Sequence, residues 1–185
     1  MTSTAWTCAS CGTTHEGLAM VFGPNAPEPW LLASDTERTR GELNADMCVL
    51  IEDTGTTNYF VRGHIEIPVL DSDDGPFRWS VWVSLSETSM RTQIEHWNDP
   101  ARANLEPMFA WLSNHLPYES PTAPMASRLH TREPGTVPRI ELDPSVDHPL
   151  VHEQLHGITL HRVAEINQAL VGGHPHRRPT HGPDR

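Results

Sequence analysis

Met47–Asp53, MCVLIED, and Asn58–Asp71, NYFVRGHIEIPVLD, are the stretches on which the fold turns. Both are rich in β-branched and aromatic residues, and the intervening TGTTN supplies polar turn chemistry, so the pair reads as an antiparallel hairpin. Asp71, Asp73, Asp74 and Gly75 end its second strand. Phe77–Leu85, FRWSVWVSL, then alternates, with Phe77, Trp79, Val81, Val83 and Leu85 on one side and Arg78, Ser80, Trp82 and Ser84 on the other. Trp82 interrupts the polar side, which calls for a helix packed over the second face of the sheet.

Outward from this centre, Ser86–Trp97, SETSMRTQIEHW, sets Met90, Ile94 and Trp97 on one helical face, and Asn98-Asp99-Pro100 stops it. Pro107–Tyr118, PMFAWLSNHLPY, is core-like, and its periodicity leaves strand and short helix open. MASRLHTR and PRIELD around Pro134-Gly135 read as a second hairpin or meander. ITLHRVAEINQALV, with Ile158, Val163, Ile166 and Leu170 near one face, reads as a closing helix. Towards the N-terminus, GLAMVF suits a short strand, and Pro24, Pro27 and Pro29 force an irregular passage. Trp30 and Leu31 are expected to fold back over an apolar surface. SDTERTRGEL is a short helix capped by Ser34 or Asp35. The sum is an α+β fold, a mainly antiparallel sheet with packed helices, preceded by a Cys-x-x-Cys-Gly knuckle. Residues 1–171 are expected to form one domain, with 172–185 a disordered tail.

At 185 residues the chain can bury one substantial core. Lys plus Arg is 13 and Asp plus Glu 24, so the formal charge is 13 − 24 = −11, a poor match to nucleic acid. No window reaches the length of a membrane span and no signal peptide is legible, so a cytoplasmic location is expected.

Several of these stretches, in the same order, resemble one bacterial family, domain of unknown function 2199: DMCVLIED, FVRGHIEIPVLD, FRWSVWVSLSE, WLSNHLPYESPT and RIELDPSVDHPL…EQLHGIT, with CASCGTTHEGLAMVFGPNAPEPW at the start. The resemblance covers the chain before Gly172. It implies no activity, because the family has none assigned, but it draws attention to Cys8, Cys11, His15, Asp46, Cys48, Arg62, Gly63, Glu66, Pro68, Trp82, Ser84, Ser86, Asn114, Pro117, Glu141, His148, Gln154 and Gly157. Members of that family often carry cysteine where this chain has His64.

The cysteines supply the candidate metal site. Cys8 and Cys11 have the spacing that turns two thiolates towards one tetrahedral Zn²⁺, and Gly12 permits the tight turn. Cys48 and His64 lie on the two strands of the central hairpin and could complete a Cys3His shell, with His15 the nearest alternative ligand. The competing reading makes Cys48 a small buried hydrophobe and His64 an ordinary strand residue. His152–His156 satisfies H-E-x-x-H, yet Gly157 follows at once, and a polar turn before the last helix is the plainer reading. Arg62 and Glu66 share a strand face and suit an ion pair. Trp79, Trp82, Trp97 and Trp111 suit core packing ahead of a ligand pocket.

The sequence thus leads to a binding or interaction module for an unknown ligand or protein, with a possible structural zinc site. The alternative is a small hydrolase or other enzyme whose pocket would gather Glu66, Ser84, Asn114 and His148.

Overall fold

A computed structural model describes residues 5–7 and 14–171. The alternating stretches form strands, as their pattern demands. β1 (Ala5–Thr7) and β2 (Thr14–Glu16) make a separate antiparallel ladder in which Trp6 stands opposite His15. The remaining strands are β3 (Val21–Phe22), β4 (Glu42–Leu43), β5 (Met47–Ile51), β6 (Thr57–Ile67), β7 (Phe77–Leu85), β8 (Met108–Leu112), β9 (Met125–His130) and β10 (Arg139–Leu142). The Cys-x-x-Cys-Gly knuckle lies outside the described residues.

The main sheet closes on itself. β6, β7, β8, β9 and β10 pair in succession, each antiparallel to the one before, and β10 returns to pair with β6. In an up-and-down meander of five strands the first and last run in the same direction, so the closing pair has to be parallel. Arg139 opposite His64 is that parallel pair. β5 and β4 continue from β6 outside the ring, and β3 lies parallel to β7.

Closure depends on a fork in β6. One edge of this strand carries β7 along its length. The other edge serves β5 as far as Val61 and β10 from His64 onward. At the changeover Arg62 N–H donates to the Asp46 carbonyl and His64 N–H to the Pro138 carbonyl, both at 2.8 Å. Gly63 stands between them because β10 passes so close. A Cβ there would lie 2.5 Å from the Ile140 side chain and 3.2 Å from the Pro138 oxygen.

Residues of odd number on β6 and β7 point into the barrel. Val61, Ile65, Ile67, Phe77, Trp79, Val81 and Val83 are all essentially inaccessible there, joined by Leu112, Leu129 and Ile140. The helices α3 (Glu87–Glu95), α4 (Pro149–His156) and α5 (Leu160–Val171) add Met90, Leu150, Val151, Val163 and Ile166 to the same core. α4 replaces the polar turn expected over His152–His156. Pro149 occupies its first turn, where a missing amide costs nothing, and Gly157 ends it at φ 80°.

The outer face of β5, β6 and β7 has its own cover. α1 (Glu28–Leu32) and α2 (Asp35–Arg40) pack Trp30 and Ala33 against Cys48, Leu50, Phe60 and Trp82. The proline-rich passage therefore contains a short helix, again with proline in its first turn. Trp30 folds back as expected, whereas Leu31 stays about half exposed. Ser34 caps α2 reciprocally with Glu37.

Asn114 fastens this cover to the barrel. Its Oδ1 accepts from Trp82 N–H at 2.7 Å and its Nδ2 donates to the Ala26 carbonyl at 2.9 Å. Both partners sit where water cannot replace them. We expect Asn114→Ala to destabilise the protein by about 2–4 kcal/mol, with two buried backbone groups left unsatisfied. Urea unfolding followed by tryptophan fluorescence measures this, and a loss under about 1 kcal/mol would show that the cover is held by apolar packing alone.

Candidate functional site

The outer face of the barrel divides into an apolar groove and a charged surface. The groove, about 620 Å³, runs between α1 and the strands β6, β7 and β8. Pro29 and Leu32 form one wall, Phe60 and Ser84 the floor, and Trp111 and Pro124 the other wall. Leu32 is 78% exposed and Trp111 46%, and together with Pro29 and Phe60 they make one apolar lining. The alternation of β8 explains the second: Ala110 and Leu112 face the core, so Phe109 and Trp111 face outward, their rings edge to face at 5.1 Å. Glu28, Asn58 and His115 contribute polar groups at the margin.

The charged surface is centred on Glu66. Arg132 holds both its carboxylate oxygens, at 3.0 and 2.6 Å, and Arg78 Nε approaches at 3.3 Å. The bond to Arg132 holds the Glu66 carboxyl below its ordinary range, with burial working against it and Arg78 adding to it. Neighbouring His64 is also shifted down, first by burial and then by the Arg78 charge. The ion pair expected between Arg62 and Glu66 is not made. Glu66 is taken by the two other arginines, and Arg62 lies over the Trp82 ring, 4.8 Å from its centroid.

The structural zinc site is corrected. Among the described residues no group of three or more His, Cys, Asp or Glu side chains could hold a metal ion. Cys48 and His64 do share the outer face, but Cys48 stands opposite Phe60, four residues from His64 along β6. At about 3.3 Å per residue that is roughly 13 Å. Two donors on one Zn²⁺ lie within about 4 Å of each other. Cys48 is instead a buried hydrophobe beside Phe60 and Trp82, and burial pushes its thiol up to about 12. Cys8 and Cys11 lie outside the described residues.

The enzyme constellation is not assembled either. Ser84 lines the groove, Asn114 is committed to the cover, and Glu66 is ion-paired. His148 caps α4: its Nδ1 accepts from Leu150 N–H at 3.0 Å, which leaves Nε2 to donate to the Ser120 carbonyl at 3.2 Å. Both ring nitrogens are therefore occupied. In H-E-x-x-H the rings of His152 and His156 are 4.4 Å apart on α4. Glu153 turns away from them to take the Tyr118 hydroxyl and, at 2.9 Å, Arg162 Nε. Burial raises the Tyr118 hydroxyl well above its ordinary value, so it remains a donor to Glu153. Gln154 seals β10, accepting from Leu142 N–H and donating to the Ile140 carbonyl.

Of the four tryptophans weighed from the sequence, Trp79 and Trp82 are core, and Trp111 lines the groove. Pro29 and Leu32 carried no functional signal in the sequence. Among the described residues no helix is long and apolar enough to cross a membrane.

Residues 7–158 match the model of a family described as an uncharacterised protein conserved in bacteria, DUF2199. No curated protein and no solved structure matches the chain.

The downward shifts carry the same sign for stability. A group with a lowered value in the fold releases its proton more readily there, so its contribution is full at neutral pH and disappears on acidification. Stability should therefore fall first as the pH drops through the ordinary histidine range, from His64 and the similarly buried His130, and again from the ordinary carboxylate range downward, from Glu66. Glu66→Gln should be less stable than the parent at pH 7, with the difference closing as acid protonates the parent, measured by urea unfolding across pH. Cys48 should resist alkylation by iodoacetamide at pH 8 in the native protein and react in urea, read by peptide mass spectrometry.

Proposed function

We propose that this chain, which belongs to the bacterial DUF2199 family, is a binding protein that takes a small, mainly apolar molecule with an amine end in the groove between α1 and β8. The observation that carries the reading is the groove itself. Its volume falls in the range of small-molecule sites, and apolar and aromatic side chains line most of it, with a few polar groups at the margin. An apolar ligand would cover Leu32 and Trp111, whose exposure otherwise costs solvation free energy. Charge sets the polarity of the ligand. Glu28 is the carboxylate on the lining, and the face of an exposed indole attracts a cation.

Residues 1–171 are taken here as one domain. The continuous sheet from Val21 to Leu142 and the shared core of barrel and helices support that assignment.

The test is a series of n-alkylamines set against alkylcarboxylates of equal length, titrated while following tryptophan fluorescence and, independently, by calorimetry. Amines should bind saturably and more tightly than the matched carboxylates in this groove. Trp111→Ala should weaken amine binding by about tenfold, equivalent to roughly 1.4 kcal/mol. Leu32→Ser should weaken it in the same direction. Equal behaviour of amines and carboxylates, or amine binding untouched by both substitutions, would overturn the reading.

A further inference from the structure

Lysine plus arginine is 13, and all of them are arginine. Among the described residues, seven of the ten arginines meet a carboxylate: Arg38, Arg40, Arg78, Arg91, Arg132, Arg139 and Arg162. Arg62, Arg102 and Arg128 do not. Arg128 is exposed, where water serves it. Arg62 is half-buried and Arg102 is only 2% exposed, and these two line the same cavity, of about 200 Å³.

That cavity occupies the fork in β6. Val61 and Arg62 mark the changeover, Asp46 lies on the β5 side, and the loop ending in Val137 and Pro138 leads into β10. Trp97 and Arg102 close it from the segment after α3. Strands diverging from one edge have to leave a gap, and here the gap is lined by cationic groups.

Both guanidinium groups are held in place before any ligand arrives. Arg62 lies over Trp82 at 4.8 Å and gives Nη2 to the Asn25 carbonyl at 3.2 Å. Arg102 lies over Trp97 at 4.9 Å and gives Nη1 to the Trp97 carbonyl at 2.7 Å and Nη2 to Gln93 Oε1 at 3.2 Å. Every one of these acceptors is neutral. On each arginine the Nε–H is buried and has no acceptor. An unsatisfied buried donor is costly, and two arginines that each carry one, without a carboxylate partner and lining one cavity, describe a site for an anion.

We infer that the fork of β6 is a second binding site, specific for a small organic acid. Its carboxylate or phosphate group pairs with the guanidinium groups of Arg62 and Arg102, and its apolar part lies against Val137 and Trp97. Arginine suits this role because its planar head stays charged, stacks on indole and still presents a donor edge. Asp46 lies on the lining, is exposed, and forms no ion pair with either arginine. It biases the site against anions of high charge. The site is independent of the groove, which favours the opposite charge.

The experiment is a titration of the full chain with acetate, butyrate, benzoate, inorganic phosphate and phenyl phosphate at constant ionic strength. It is followed by the ¹H–¹⁵N signals of the arginine Nε–H groups and by calorimetry. Two buried Nε–H signals should shift together and saturate, with benzoate or phenyl phosphate tighter than acetate or inorganic phosphate. Arg62→Gln should weaken binding tenfold or more. Asp46→Asn should strengthen it severalfold and serves as the variant that leaves both arginines in place. Arg102→Gln is informative only if its unfolding transition stays cooperative, so the two milder variants carry the test. Buried Nε–H signals that do not move with any of the anions, or affinities unchanged in both Arg62→Gln and Asp46→Asn, would overturn the site. Saturable binding of carboxylates without phosphates, or the reverse, would identify which oxyanion the fork serves. Carboxylate binding that is lost in Trp111→Ala but kept in Arg62→Gln would place the anion in the groove and overturn the fork.

Discussion

One strand edge cannot be shared by two neighbours at the same point, and this constraint on β6 organises the molecule. β6 has to offer hydrogen bonds to β5 for the hairpin and to β10 for closure of the barrel. It does so in sequence along one edge, changing partner between Val61 and His64. The five-stranded meander makes the closing pair parallel, and a short β10 makes that pair brief. Gly63 is what allows the changeover to be tight, since the Ile140 side chain occupies the space a Cβ would need.

The barrel is packed on both sides of β6 and β7, and the two sides are different in kind. Inside, odd-numbered residues form a core continuous with three helices. Outside, Trp82 is fully buried under a cover no thicker than α1 and α2. A cover that short cannot shield the whole face. It ends at Leu32, and the uncovered strip of Phe60, Ser84 and Trp111 beside it is the floor and wall of the groove. The groove is thus a consequence of how far the N-terminal segment reaches across the sheet.

Charge follows the same geometry. Glu66 on the outer face of β6 pairs with both Arg78 and Arg132, whereas Arg62, four residues earlier on the same face, faces the fork with no carboxylate within ion-pair reach. The strand that closes the barrel therefore carries a satisfied ion cluster at one place and an unsatisfied cation at another. Local spacing alone would have paired Arg62 with Glu66. The register of β7 and β9 decided otherwise, by bringing Arg78 and Arg132 closer.

Periodicity and turn chemistry determined the strands and most helices, because alternation and caps act over a few residues and read directly from the chain. The β5–β6 hairpin, β7, the β9–β10 hairpin, the Ser34 cap and the need for something over Trp82 were all legible in that way. α4 was not, because Gly157 directly after His156 reads as part of a polar turn, whereas in the fold it ends a helix that buries Leu150 and Val151. Nor was barrel closure, which joins His64 to Arg139 across 75 positions with no local mark in either sequence. The zinc reading failed for the same reason. Ligand types can be counted in a sequence, but whether Cys48 and His64 meet depends on register, and four residues of strand keep them apart. Of the groove, Ser84 was named from the sequence as a pocket residue while Trp111 was read as core ahead of ligand-lining, and of the fork Arg102 was not foreseeable at all. Both places are gaps between elements distant in sequence, and a gap is a property of packing that single residues do not encode.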